Sequence, residues 1–199
     1  MKFGAAWYPE HWPESRWPKD LELMKKARMN VVRLGEFAWS TMEPREGTFE
    51  FGWLDRAIEL LDRAGIDVVL GTPTAAPPAW LTARYPDTLS MGEDGRLASH
   101  GGRCHFRPLS RTYLRFCARI AGQMARRYGK NLRVIGWQID NEYNHNSHDP
   151  DTRRQFQVWL KVKYRTLERL NARWSGAYWS EAYQDWAQIQ IPHGGHYPG

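Results

Sequence analysis

Cysteine is scarce in this chain: Cys104 and Cys117 are its only two, one in a loop-like stretch and one in a helical pattern, so no disulfide framework is indicated. Long apolar runs are missing as well, since no stretch approaches the ~20 consecutive apolar residues of a membrane span. The N-terminus, Met1 to Glu10, reaches a carboxylate before any apolar core of signal-peptide length has formed. A cytoplasmic protein with no membrane partner is the expectation. Nucleotide-binding signatures are absent too: the first strand-to-helix turn carries no G-x-G-x-x-G, and no G-x-x-x-x-G-K-S/T occurs anywhere. Positive charge is in excess, +6 overall, but it is dispersed. The densest groups, Lys25-Lys26 and Arg126-Arg127, fall at the ends of helical patterns, where cations favour the negative pole of the helix dipole. The chain thus lacks the clustered basic face that phosphate recognition needs, and no nucleic-acid partner is expected.

What the chain does have is enough apolar residue, 42% of 199, to bury a core, and an excess of tryptophan, 11 in all. Indole rings fill cores, and they also stack on the apolar faces of sugars. Strand and helix patterns alternate. Phe3 to Tyr8, Val31 to Trp39 and Asp67 to Thr72 read as strands, each followed by polar or proline-marked turns. Helical stripes follow them: Leu21, Met24 and Ala27 after Pro18; Trp53 to Ala64, closed by Gly65; and Tyr113, Phe116, Cys117, Ile120, Ala121, Met124 and Tyr128. Between the last two, Tyr85 to Leu109 reads as an elaborated loop with a hairpin near Glu93-Asp94-Gly95.

A fourth strand pattern, Arg133 to Tyr143, turns polar at its C-terminal end, where Asn141 and Glu142 stand side by side. Asp149 and Pro150 then make a cap and first turn for a final helix containing Phe156, Trp159, Leu160, Tyr164 and Leu167, and Trp174 to Gly199 reads as loop. Four strands alternating with helices describe a right-handed parallel α/β arrangement. A doubly wound sheet and half of an eight-stranded barrel both satisfy that pattern. The missing nucleotide signatures favour the barrel, whose chemistry lies at the C-terminal ends of its strands.

The chain resembles the N-terminal part of the β-galactosidases of glycoside hydrolase family 42. The likeness rests on Trp7-Tyr8-Pro9-Glu10-His11-Trp12, Gly35-Glu36-Phe37-Ala38-Trp39, Thr72-Pro73-Thr74-Ala75-Ala76-Pro77-Pro78-Ala79-Trp80 and Asp140-Asn141-Glu142-Tyr143. The Asn-Glu pair is shared by many retaining glycosidases, whereas the Thr-Pro-Thr segment is more particular to this family. The resemblance implies a (β/α)8 TIM barrel of which residues 1–199 supply the first four strand-helix units, the N-terminal half of the catalytic domain. It implies that Glu142 is the general acid/base, that Asn141 hydrogen-bonds the sugar, that Arg103 binds substrate, and that Trp179 packs against the galactosyl unit. It further implies a β-galactoside substrate, no cofactor, and a homo-oligomer, a trimer in similar full-length enzymes.

Two departures accompany the likeness. Many members of the family hold zinc through one cysteine near the arginine motif and three just after the Asn-Glu pair. Here Arg107 stands at the first place and residues 144–154 contain no cysteine, so no metal is expected, although His145, His148 and Cys104 are the nearest alternative donors. The nucleophilic carboxylate of the family lies on a later strand. Retaining hydrolysis needs two carboxyl groups, and Glu10, Glu36 and Asp140 are the other strand-end carboxylates available in this chain. Strict alternation would place Asp140 on the same face as Glu142, deeper in, and would send Asn141 to the opposite face unless the strand breaks or bulges. A galactoside-binding remnant without catalysis is the competing reading.

Overall fold

This computed structural model describes residues 1–143 and 145–192. Its centre is a single parallel sheet of four strands in the order β1-β2-β3-β4. The strands are β1 (Gly4–Ala6), β2 (Val31–Leu34), β3 (Asp67–Gly71) and β4 (Val134–Gln138). Helix α1 (Trp17–Lys26) joins β1 to β2; the single turn α2 (Trp39–Met42) and α3 (Gly52–Arg63) join β2 to β3. Between β3 and β4 run α4 (Ala79–Arg84) and α5 (Arg111–Tyr128), and α6 (Pro150–Tyr164) and α7 (Leu167–Arg173) follow the last strand.

The long helices form where the sequence repeats apolar residues at three and four. In α3 these are Leu54, Ala57, Ile58 and Leu61, all buried, and Gly65 ends the turn at φ +69°. In α5 they are Tyr113, Phe116, Ile120, Met124 and Tyr128, with Ser110 capping the first turn by accepting from the Tyr113 N–H. These faces close over Val32 and Leu34 of β2 and Val68 and Leu70 of β3 in one continuous core. The alternate residues Arg33 and Val69 point the other way and are only half-buried. A doubly wound sheet would reverse its strand order and cover both faces with helices. Here the order runs monotonically and one face is covered, so the sheet is the first four units of a (β/α)8 barrel. No helix among the described residues is long and apolar enough to cross a membrane.

Three element boundaries differ from the sequence expectation, each for a local reason. β2 stops at Leu34 instead of reaching Trp39, because Gly35 adopts φ +94° and Trp39 begins α2, so Glu36, Ala38 and Trp39 are buried by a loop rather than a sheet. β4 stops at Gln138, well before Tyr143, and its register against β3 slips after Val68, which pairs with Val134 while Val69 pairs with Gly136. That bulge at Ile135 lets Val134 and Trp137 both pack on the helix side. The final helix breaks at Arg165, φ 72°, so that Leu167 opens α7 under a Thr166 cap.

The stretch read as loop from Trp174 contains two 3-10 turns, Tyr178–Ser180 and Trp186–Gln188, and its residues 193–199 lie outside the described ones. Around Leu160, Leu170 and Ile189, helices α6 and α7 and this segment build a second, smaller core. The expected hairpin in the long loop is present as the bridges Leu89 to Phe106 and Met91 to Leu97.

Candidate active site

The C-terminal ends of the strands gather most of the chain's strand-end carboxylates. Glu36, after β2, is fully buried and accepts from the Tyr8 hydroxyl at 3.0 Å and from Arg33 Nε at 2.8 Å. It leans over Gly71 at the end of β3, where a Cβ would stand 2.4 Å from the Glu36 Cβ; glycine is the residue that leaves room. Glu10, in the turn after β1, keeps only 5% of its side chain exposed; His11 Nε2 lies 3.8 Å from its Oε1, and neither carboxylate oxygen has a hydrogen-bond partner among the described residues. Burial raises its pKa, and the nearby charge of Glu36 pushes in the same direction.

Past Gln138 the fourth strand becomes a turn with two non-glycine residues in the left-handed region, Asp140 at φ 58° and Glu142 at φ 53°. Each such residue costs about 1 kcal/mol or more, so other contacts must hold the turn. The Asp140 N–H donates to Thr72 Oγ1 at 2.7 Å, and the buried Asp140 carboxylate accepts from Thr74 Oγ1 at 2.7 Å and from the Tyr113 hydroxyl at 3.4 Å. Asp140 therefore turns toward β3 and α5, not toward the face that carries Glu142. The alternation that would have aligned the two carboxylates is broken by the backbone itself.

The break frees Asn141 and Glu142. Asn141 Oδ1 accepts from Gln138 Nε2 at 3.1 Å, which leaves its buried Nδ2 with no partner among the described residues. A buried amide donor without an acceptor is costly unless a ligand supplies one. Glu142 stays about half exposed, and its Oε2 lies 2.8 Å from Arg103 Nη2. Arg103 comes from the long loop after β3, its guanidinium 5.7 Å from the centre of the Phe37 ring, and the next residue, Cys104 at φ 60°, ties the loop down by donating its N–H to Ala75 O at 2.9 Å. Arg103, Asn141 and Glu142 thus meet at one end of the sheet. Trp179 lies elsewhere in the chain's order, in the 3-10 turn after α7, 78% exposed and stacked on Tyr178 at 4.6 Å. No described hydrogen bond or ring contact joins it to the other three.

A carboxylate, an arginine beside it and an amide with a free donor suit the binding of a hydroxylated ligand. Against this geometry, the sequence profile of glycoside hydrolase family 42, described as β-galactosidase, matches residues 6–197. The chain belongs to this family. Among its relatives in family 42, the β-galactosidase of Thermus thermophilus is 44% identical over 196 residues, covering 96% of this chain and 30% of that one. Among solved structures, the cold-adapted β-galactosidase of Rahnella sp. R3 superposes with a TM-score of 0.87 at 41% identity, covering 96% of this chain and 29% of that one. A catalytic mutant of a family 42 β-galactosidase from G. stearothermophilus gives 0.87 at 37% identity, with 96% and 28% covered. The chain therefore spans about 30% of the length of the relatives it matches.

The zinc of many family 42 members can be tested against the residues in its place. Arg107 fills the first position with a guanidinium 3.0 Å from Asp149, whose other oxygen accepts from Ser147 Oγ at 2.7 Å and Thr152 Oγ1 at 2.6 Å. A fixed cation paired inside the cluster repels a second one, and hydroxyls are poor zinc donors. These residues do not fit the metal. His145 packs edge-on against Phe106 at 4.4 Å, His148 lies 3.8 Å from Glu93, and no group of three His, Cys, Asp or Glu converges among the described residues. Asn144 is outside them.

Sequence reasoning missed the Thr72–Thr74–Tyr113–Asp140 contacts. Their signal was available only in part, as the pairing of a polar strand end with two threonines 66 and 68 residues earlier.

Proposed function

We propose that residues 1–199 are the N-terminal half of a catalytic barrel, truncated before the later strands, and that the complete enzyme hydrolyses terminal β-D-galactosides with retention. The observation that carries this reading is the Glu142 carboxylate, half exposed at the end of β4 and paired with Arg103 at 2.8 Å. In the first step Glu142 gives its proton to the glycosidic oxygen while a carboxylate on a later strand, about 5 to 5.5 Å away, attacks the anomeric carbon and forms a galactosyl ester. In the second, ionised Glu142 takes a proton from water, which attacks the same carbon and releases galactose and the nucleophile. Asn141 Nδ2 donates to a sugar hydroxyl and Arg103 grips the ligand at the mouth. Trp179 stacks on the galactosyl ring once the complete barrel brings its turn to the site, and the whole enzyme is a homo-oligomer.

The nucleophile is assigned outside this chain because the alternatives within it are occupied or closed off. Glu36 is fully buried with its Oε1 under two donors, Asp140 is turned to Thr74 and Tyr113, and Glu10 is enclosed. The test is Glu142→Gln in the family-length polypeptide. Hydrolysis of alkyl galactosides should fall by about 10²- to 10⁴-fold, while 2,4-dinitrophenyl β-galactoside, whose leaving group needs no proton, is cleaved to its intermediate at nearly the original rate. Azide should rescue the second step. Equal loss on both substrates removes Glu142 from this role.

A further inference from the structure

The turn that presents Glu142 is held from behind by residues that do not face it, and the Tyr143 hydroxyl spans it by donating to the Ile139 carbonyl at 2.9 Å. Asp140 is the hub. Its N–H is fixed on Thr72 Oγ1 at 2.7 Å, one carboxylate oxygen accepts the Asn141 N–H at 2.5 Å, and the other accepts Thr74 Oγ1 at 2.7 Å and the Tyr113 hydroxyl at 3.4 Å. Tyr113 has a single hydroxyl proton, which points mainly to the Thr74 carbonyl at 2.9 Å and is shared with Asp140 as the longer arm, so β3's polar end and α5 are tied to the same point. Gln138 Nε2 closes the turn from the strand side, donating to the Asp140 carbonyl at 2.8 Å. Two left-handed residues flank Asn141 within this frame, and a relaxed turn would swing both Asn141 and Glu142.

We propose that Asp140 is a positioning residue, clamped by Thr74 and Tyr113, and that leaving-group protonation by Glu142 depends on this clamp. The proposal rests on Glu142 being the acid. It assigns a task to the Thr72-Pro73-Thr74 segment: the threonine hydroxyls set the geometry of a turn on the next strand. Proton transfer is sensitive to sub-ångström placement, whereas attack on the anomeric carbon by a carboxylate from another strand is not routed through this turn.

The experiment uses the family-length polypeptide with two changes that approach the clamp from different elements. Thr74→Val removes the hydroxyl while keeping the side-chain shape, Tyr113→Phe removes the second donor, and Thr74→Ser restores the first. Expected is a fall of about 10- to 100-fold in kcat for methyl β-galactoside against less than about 3-fold for 2,4-dinitrophenyl β-galactoside, a rise in KM shared by both substrates as Asn141 shifts, and recovery of both in Thr74→Ser. A role in folding alone would lower both substrates together, and that result, or no loss at all, overturns the proposal. Glu142→Gln is measured alongside. If it shows the leaving-group split and Thr74→Val and Tyr113→Phe do not, only the clamp fails; if Glu142→Gln lacks the split, the reading of the site fails with it.

Discussion

Arg103 Nη2 and Glu142 Oε2 stand 2.8 Å apart, and the two side chains are 50% and 52% exposed. An ion pair so open to water contributes less than about 1 kcal/mol to stability, so the fold does not account for it. A pair of that kind is cheap to separate, which suits the ligand-binding role proposed for Arg103. Arg103→Ala should leave the unfolding free energy within about 1 kcal/mol of the parent. In the family-length enzyme it should raise KM for galactosides by about 10- to 100-fold, the worth of a hydrogen bond from a charged group. Denaturant titration and steady-state kinetics check the two halves separately.

The Arg107–Asp149 pair is of the opposite kind. Only 17% and 6% of these side chains are exposed, and Asp149 also caps α6 through the N–H groups of Asp151 at 3.1 Å and Thr152 at 2.9 Å. Burial pushes the Asp149 pKa up, but the Thr152 and Ser147 hydroxyls, the Thr152 N–H and Arg107 outweigh it and bring it from 3.8 to about 2. A carboxylate whose folded pKa is depressed contributes stability that is present above its unfolded pKa and lost as pH falls through the folded one. Asp149→Ala should cost about 2 to 4 kcal/mol at neutral pH. The gap between parent and variant should narrow as the pH drops from about 4 to about 2. A gap independent of pH over that window would show that the charge is not the stabilising feature.

The same cluster leads to a prediction about metal. With a guanidinium already paired to Asp149 at 3.0 Å, the protein should retain less than stoichiometric zinc after dialysis. Chelator should not shift its unfolding midpoint. Elemental analysis decides this. A zinc that resists dialysis would require His145, His148 and Cys104 to converge in a way the described residues do not.

How much of this was legible in the sequence depends on how local the cause was. The α5 stripe from Tyr113 to Tyr128 and the Asp149-Pro150 start of α6 were readable because helix contacts repeat every three or four residues and a cap lies within three. The end of β4 was not. Asp140 is held in its left-handed conformation by Thr72, Thr74 and Tyr113, which lie on other elements, and the bulge at Ile135 exists only against β3. Tryptophan shows the same limit: Trp7, Trp17 and Trp39 are core, Trp12, Trp159 and Trp179 are exposed, and nothing in the residue type tells them apart. That Glu36 stands at a strand end was readable, but its burial over Gly71, where Gly35 bends the chain, was not. The constellation Arg103, Asn141 and Glu142 came from the family resemblance, and the geometry adds why these three can meet.

Residues 1–199 alone should neither form a closed barrel nor turn over galactosides. The sheet has β1 and β4 as its edges, every residue of β1 is exposed, and Ile135 and Ile139 at the β4 side are 47% and 65% exposed. Unpaired strand edges flanked by apolar side chains recruit other chains. The isolated chain should therefore associate in size-exclusion and light-scattering measurements, and supplying the second half of the barrel in trans should suppress that association. Its Glu142 would face no nucleophile, so hydrolysis of a nitrophenyl β-galactoside should stay at the buffer rate. A monodisperse monomer with cooperative unfolding and measurable turnover would be the contrary result. It would return the search for the nucleophile to Glu10, Glu36 and Asp140, and Glu10, enclosed without a hydrogen-bond partner among the described residues and with its pKa raised by burial, would be the first to replace.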